Sequence, residues 1–206
     1  MLIKVCGMRD AENIRQVESL GVDLIGLIFY PKSSRFVVCP PSYLPGKAKR
    51  VGVFVNEDQE TVLTLHSQFL LNFIQLHGTE SPEYCVSLRG KGLNLIKAFS
   101  VSAPADLEAT EKYEGLCSYF LFDTKCEGHG GSGKQFDWSV LSHYHGKTPF
   151  LLSGGISPKS VKELKAFHHE RFAGVDLNSC FETAPGMKDV EKLSRFINEL
   201  RKTEQV

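Results

Sequence analysis

Two side chains able to exchange protons stand at the ends of short apolar runs. Tyr119 to Phe122 runs into a carboxyl, Asp123, then through Thr124 and Lys125 into a glycine-rich loop that restarts at Phe136-Asp137-Trp138. A buried strand that carries an acid to its C-terminal end and then opens into such a loop describes a catalytic edge of an α/β enzyme. The first run of the chain leads in the same way to a thiol, Cys6. The remaining elements are read as a frame that holds Asp123 opposite Cys6.

The loop itself invites two nucleotide readings, and its context supports neither. Gly128-His129-Gly130-Gly131-Ser132-Gly133 fits G-x-G-x-x-G. A dinucleotide fold needs a helix opening within those glycines and an acid about 20 residues on, and there is none around Ser153. Gly128 to Lys134 fits most of a phosphate loop, but Gln135 stands where a hydroxyl would hold Mg²⁺. What remains is a surface loop or a lid over a substrate phosphate, since glycines allow large backbone changes in both cases.

Composition narrows the partners. The 206 residues carry 24 basic and 24 acidic side chains, so formal charge is zero, which argues against nucleic acid or a membrane surface. Met1 to Gly7 has no apolar core of a signal peptide, and no apolar run approaches the ~20 residues that span a bilayer. The six cysteines (6, 39, 85, 117, 126, 180) are scattered without a Cys-x-x-Cys pair. A reducing cytoplasm is therefore expected rather than a disulfide framework. The seven histidines form no ligand set, and His143, His145, His168 and His169 are expected at the solvated surface.

Apolar runs recur along the chain, each followed by a more polar helical stretch. Strands are expected at Leu2–Cys6, Leu24–Phe29, Arg50–Val55, Asn72–Leu76, Leu93–Phe99, Tyr119–Asp123, Pro149–Ser153 and Gly174–Asn178. Helices are expected at Asp10–Leu20, Ser42–Lys47, Glu57–Gln68, Ser81–Arg89, Ala105–Tyr113, Asp137–Tyr144, Pro158–Phe167 and Lys188–Arg201, the second crowded by Pro40, Pro41 and Pro45. Ser81-Pro82 and Ser157-Pro158 place a capping hydroxyl before a first-turn proline, and Gly21 follows Leu20 as a C-terminal cap. Eight alternating units without a linker predict one domain, residues 1–206, closed as a parallel (β/α)8 barrel; a doubly wound open sheet has the same periodicity.

Chemistry in such a barrel gathers at the C-terminal strand ends. Here they read Cys6-Gly7, Phe29-Tyr30-Pro31, Phe54-Val55-Asn56, Gln75-Leu76-His77-Gly78, Lys97-Ala98-Phe99, Asp123-Thr124-Lys125, Ser153-Gly154-Gly155 and Asp176-Leu177-Asn178-Ser179. With their neighbours they form blocks in a fixed order: KVCGMRD, GLIFYPKSSRFV, VGVFVN, QLHG, FDTK…GGSGKQFDW, LSGGI, and VDLNSCFE followed by PGMKD. Together these resemble phosphoribosylanthranilate isomerase, from residue 4 to about 190.

The resemblance implies an Amadori rearrangement of N-(5-phosphoribosyl)anthranilate in tryptophan biosynthesis, with no cofactor and no metal. Opening the ribose ring needs an acid and removing a proton from the adjacent carbon needs a base; Asp123 matches the family's acid and Cys6 its base. An acid at neutral pH must keep its proton, and a thiol base must have thiolate character. Arg35 matches the arginine that meets the anthranilate carboxylate, a group its planar fork suits. His77 and Asp176 are expected to line the substrate, with Lys4 beneath Cys6 on the same side of its strand and Asp176 able to pair with it. Gly154, Gly155, Ser179 and Cys180 are expected to hold the phosphate by backbone N–H groups and a short helix N-terminus. Cys180 stands where the family's commoner form has glycine. The resemblance leaves oligomeric state open. Two alternatives are another aminoaldose-phosphate isomerase and a silent barrel that only binds a phosphorylated ligand.

Overall fold

The computed structural model describes residues 1–124 and 137–202. Eight parallel strands close a barrel in chain order: β1 (Leu2–Val5), β2 (Leu24–Ile28), β3 (Lys49–Phe54), β4 (Phe73–Leu76), β5 (Leu95–Val101), β6 (Tyr119–Thr124), β7 (Phe150–Leu152) and β8 (Phe172–Leu177). β8 pairs back onto β1 with Lys4 opposite Asp176, so the sheet has no edge, and the open-sheet alternative is excluded. Five strands end one residue before the expected boundary, β4 ends at it, and β5 and β6 run past it, so that Asp123 lies within the ladder opposite Ser100. Cys6 still donates its backbone N–H to Leu177 O at 2.9 Å.

Alternation along the strands sorts the side chains into two cores. Cys6, Leu24, Val51, Val53, Ile96, Ala98, Leu121 and Leu151 meet inside the barrel. The opposite faces, including Ile3, Val5, Phe120, Phe122 and Phe150, pack against the helices. Each fully buried Leu or Phe contributes about 1.5–3 kcal/mol relative to exposure.

The helical layer is thinner than expected. The α-helices are α1 (Ala11–Ser19), α2 (Gln59–Phe69), α3 (Pro82–Gly90), α4 (Val161–Ala166) and α5 (Val190–Arg201). Asp10, Asp58, Ser81 and Asp189 cap α1, α2, α3 and α5, each accepting a backbone N–H three residues on. Residues 42–47 form no helix: the prolines remove donors, and Glu18 of α1 instead accepts the N–H groups of Lys47 and Ala48. Pro104–Tyr113 and Trp138–His143 wind as 3-10 rather than α-helix. Side chains compete for the backbone there, as when Asp106 accepts from the N–H groups of Ser102 and Ala103. After β8 come a single 3-10 turn at Ser179–Phe181 and a small hairpin, β9 (Glu182–Ala184) with β10 (Met187–Lys188).

His143, His145 and His168 lie at the surface as expected, but His169 does not: its ring packs on Phe150 and reaches Tyr144 O at 3.1 Å. The five described cysteines are free thiols. Among the described residues no helix is long and apolar enough to cross a membrane. The expected lid, Gly128–Gly133, lies outside the described residues.

Candidate active site

The first cluster is built by β1 and β8. Lys4 and Cys6 sit two residues apart and point into the barrel, where Lys4 is fully buried and Cys6 only 4% exposed. The register of β1 on β8 sets Lys4 Nζ 2.8 Å from Asp176 Oδ1, and Ser153 Oγ lies 3.5 Å from the other carboxylate oxygen. Lys4 also reaches the Cys6 thiol. Gly26 of β2 makes room for that thiol, since a Cβ there would stand 2.7 Å from Cys6 Sγ.

The electrostatics of this cluster are balanced but not neutral. Burial pushes the Cys6 thiol up, Lys4 pulls it down and Asp176 pushes it up again, leaving it above the ordinary thiol range. Burial would lower Lys4, but Asp176 and Cys6 outweigh it and raise the ammonium above its usual value. Burial also raises Asp176, against the pull of Lys4, while Asp123 raises it further and His77 draws it down. Asp176 is therefore the electrostatic link between the thiol on β1 and the acid on β6.

That acid, Asp123, ends β6 with Thr124. Its Oδ1 accepts the Thr124 N–H at 2.8 Å and its Oδ2 lies 3.4 Å from His77 Nε2. His77 follows β4, donates its backbone N–H to Phe54 O, and has Nδ1 2.9 Å from Gln75 Nε2. Gly154 has φ +81°, and a Cβ on it would stand 2.7 Å from Asp123 Oδ1. The glycine expected to serve a phosphate thus also makes room for the carboxyl. Gly155 continues the turn with φ +67°.

The third cluster gathers where β2 and β8 end. Arg35 places Nε and Nη2 on the Glu182 carboxylate at 2.6–3.1 Å. Lys188 Nζ binds the same carboxylate at 2.5 Å and Asn178 Oδ1 at 2.8 Å. Two cations on one carboxylate leave a net positive charge. Burial pushes Glu182 up, but Arg35 and Lys188 outweigh it and lower it; burial lowers Lys188 despite Glu182. Both cations also act on Cys6, so this cluster faces the same barrel mouth. Ser179 and Cys180 are half-buried in the 3-10 turn, with Cys180 packed against the outer core. Among the described residues no group of three or more His, Cys, Asp or Glu is placed to hold a metal.

The structure therefore brings Cys6, Asp123, His77 and Asp176 together around one mouth, with Arg35, Gly154, Gly155 and Ser179 on its rim. Sequence reasoning missed Gln75, Glu182 and Lys188. Their one signal was position inside the blocks QLHG and VDLNSCFE…PGMKD, where no role was assigned to them.

The comparisons with known proteins agree over nearly the whole chain. The model of the family N-(5'-phosphoribosyl)anthranilate (PRA) isomerase matches residues 3–199. The N-(5'-phosphoribosyl)anthranilate isomerase of Phocaeicola vulgatus is 54% identical over 201 residues, covering 98% of both chains. The crystal structure of phosphoribosyl anthranilate isomerase from Thermotoga maritima superposes with a TM-score of 0.84 at 35% identity, covering 97% of this chain and 98% of that one. A further structure of the isomerase, in complex with reduced 1-(o-carboxyphenylamino)-1-deoxyribulose 5-phosphate, has a TM-score of 0.80 at 32% identity, with the same coverage. The barrel, its order of strand ends and these matches lead to one assignment: the chain belongs to the N-(5'-phosphoribosyl)anthranilate isomerase family.

Proposed function

We propose that this chain converts N-(5'-phosphoribosyl)anthranilate to 1-(2-carboxyphenylamino)-1-deoxyribulose 5-phosphate, its family's step in tryptophan biosynthesis, with Asp123 as acid and Cys6 as base. The observation that carries the reading is a thiol and a carboxyl at the ends of β1 and β6, linked electrostatically through Asp176.

Asp123 gives its proton to the ribose ring oxygen as the bond from that oxygen to C1 breaks, and the nitrogen lone pair forms the open iminium, which keeps its N–H. Cys6 removes the proton on C2, giving an enaminol that becomes the ketone when C1 is protonated and the C2 hydroxyl loses its proton. Each step is a proton transfer, which a positioned acid or base accelerates by about 10²–10⁴-fold. Lys4 offsets part of the burial that holds Cys6 as a thiol. Asp176 and His77 line the reacting carbons.

The rim supplies binding. Arg35 and Lys188, with one carboxylate between them, favour an aryl carboxylate. The backbone at Gly154, Gly155, Ser179 and Cys180 receives the phosphate, whose remote contacts supply positioning energy. The ligand of the related complex carries both groups, in keeping with this division. On the same reading the partner is a small phosphorylated molecule and the setting cytoplasmic, in keeping with zero net charge. The test is turnover, followed as loss of the substrate's anthranilate fluorescence. Binding of substrate without turnover would leave a silent barrel instead.

A further inference from the structure

We propose that His77 stores the proton that Asp123 delivers, and that Gln75 sets this store by the orientation of its amide. The inference rests on the reading of Asp123 as the acid. It starts from two neighbouring facts. Gln75 Nε2 lies 2.9 Å from His77 Nδ1, while Gln75 Oε1 is buried with no hydrogen-bond donor among the described residues.

In this orientation the amide donates to Nδ1, so the ring's single proton sits on Nε2, facing Asp123 Oδ2 at 3.4 Å. A half-turn of the amide places Oε1 opposite Nδ1 instead. Nδ1 then carries a proton and donates it, the orphan acceptor gains a partner, and the ring holds two protons, one toward Gln75 and one toward Asp123. The two amide orientations have the same shape, so the exchange needs no repacking.

The surroundings suit a cation that comes and goes. Asp123 of β6 faces the ring, and Asp176 of β8 lies within electrostatic reach of both, with Lys4 of β1 paired to it. Lys97 of β5 donates to Leu76 O and Gly78 O on either side of His77, and Glu80 of the same loop is bound to Lys97 and to the Gly78 N–H. β3 contributes the Phe54 carbonyl to the His77 backbone N–H.

In the transfer the Nε2–H bond breaks, its electron pair stays on Nε2, and an O–H bond forms on Asp123. The neutral ring then faces a carboxylic acid. Asp123 passes that proton to the ring oxygen as the C1–O bond breaks. The proton later released by the C2 hydroxyl returns to the pair, and the isomerisation has no net proton change. A histidine suits the task because its two ring nitrogens let it take a proton on the Gln75 side and release one on the Asp123 side.

The experiment compares kcat–pH profiles of the parent, His77→Asn, Gln75→Glu and Asp123→Asn. In His77→Asn the alkaline limb should move to lower pH by about one unit, with kcat at pH 7.5 down about tenfold. In Gln75→Glu a fixed acceptor opposite Nδ1 should move the same limb to higher pH. An equal loss at every pH in His77→Asn, with the limb unmoved, overturns the store and leaves His77 a positioning residue. If Gln75→Glu fails to fold, ¹⁵N spectra of the parent decide: two protonated ring nitrogens on the acid side of the limb support the store, and one throughout overturns it. Normal turnover in Asp123→Asn would instead bring down the underlying reading of the acid.

Discussion

Two of the buried lysine–carboxylate pairs among the described residues, Lys97–Glu80 and Lys4–Asp176, are built differently. Lys97 and Glu80 are saturated. Lys97 Nζ donates to the carbonyls of Leu76, Gly78 and Ala98 as well as to Glu80 at 3.2 Å, and Glu80 accepts from the N–H groups of Asn56 and Gly78. Lys4 and Asp176 are sparing. Lys4 has Asp176 and the Cys6 thiol, and Asp176 adds only Ser153 at 3.5 Å among the described residues. In a low-dielectric interior, spare charge acts on whatever is near. The saturated pair spends its charge on backbone and holds the β4–β5 ends in place. The sparing pair leaves its field for Cys6, Asp123 and His77.

The largest effect should come from breaking the saturated pair. Lys97→Met leaves Glu80 buried without its cation and removes the donor from three carbonyls, and losing one partner of such a pair costs about 3–5 kcal/mol. Urea denaturation should show that loss, while the pH at which kcat falls stays in place. Lys4→Met should cost less, because the carboxyl left behind already has a raised proton affinity and can neutralise itself. Equal stability losses in the two variants would erase the distinction.

Next in size are the groups that the sparing pair serves. Asp123→Asn keeps shape but removes the proton donor, and Cys6→Ser removes the base. Each should lower kcat by at least ~10²-fold, about 2.7 kcal/mol at the transition state. The fluorescence assay reads this directly, and near-normal kcat in either variant takes that residue out of the chemistry.

Much of this contrast was legible before any coordinates. Period-two alternation puts Lys4 beside Cys6, and closure of eight strands makes β1 and β8 neighbours, so the Lys4–Asp176 pair followed from topology. Lys97 is harder to read: it faces away from the barrel interior, and its partners are main-chain carbonyls, which leave no trace in side-chain patterns. Glu182 and Lys188 meet Arg35 only because a hairpin folds back after β8, a local turn that strand periodicity does not encode. The orphan Gln75 Oε1 depends on a rotamer. The helix expected at 42–47 does not form: Pro40, Pro41 and Pro45 crowd it, and the carboxylate that takes up the N–H groups of Lys47 and Ala48, Glu18, comes from α1.

A smaller effect separates the two uses of Gly154. In Gly154→Ala the left-handed backbone and the contact with Asp123 both resist the new methyl group. If the glycine chiefly makes room for the acid, kcat should fall by about tenfold with KM little changed. A rise in KM alone would assign the glycine to the phosphate and detach it from Asp123.

The smallest effect is the most direct measure of the sparing pair's field. Cys6 is pushed up by burial and by Asp176 and pulled down by Lys4. Lys4→Met removes the pull, so the thiol should rise further, by about one unit, or 1.4 kcal/mol of differential interaction. Part of the rise is offset, because Asp176 without its lysine takes up a proton and stops repelling the thiolate. Asp176→Asn should do the opposite: the repulsion goes, Lys4 stays, and the thiol falls. The readout is the rate of iodoacetamide alkylation against pH, with the other five cysteines replaced so that only Cys6 reports. The alkylation curve should move to higher pH in the first variant and to lower pH in the second. Curves that coincide with the parent in folded proteins would mean that the pair does not tune Cys6. The thiolate would then have to be drawn out by the substrate itself, and Lys4–Asp176 would join Lys97–Glu80 as scaffold.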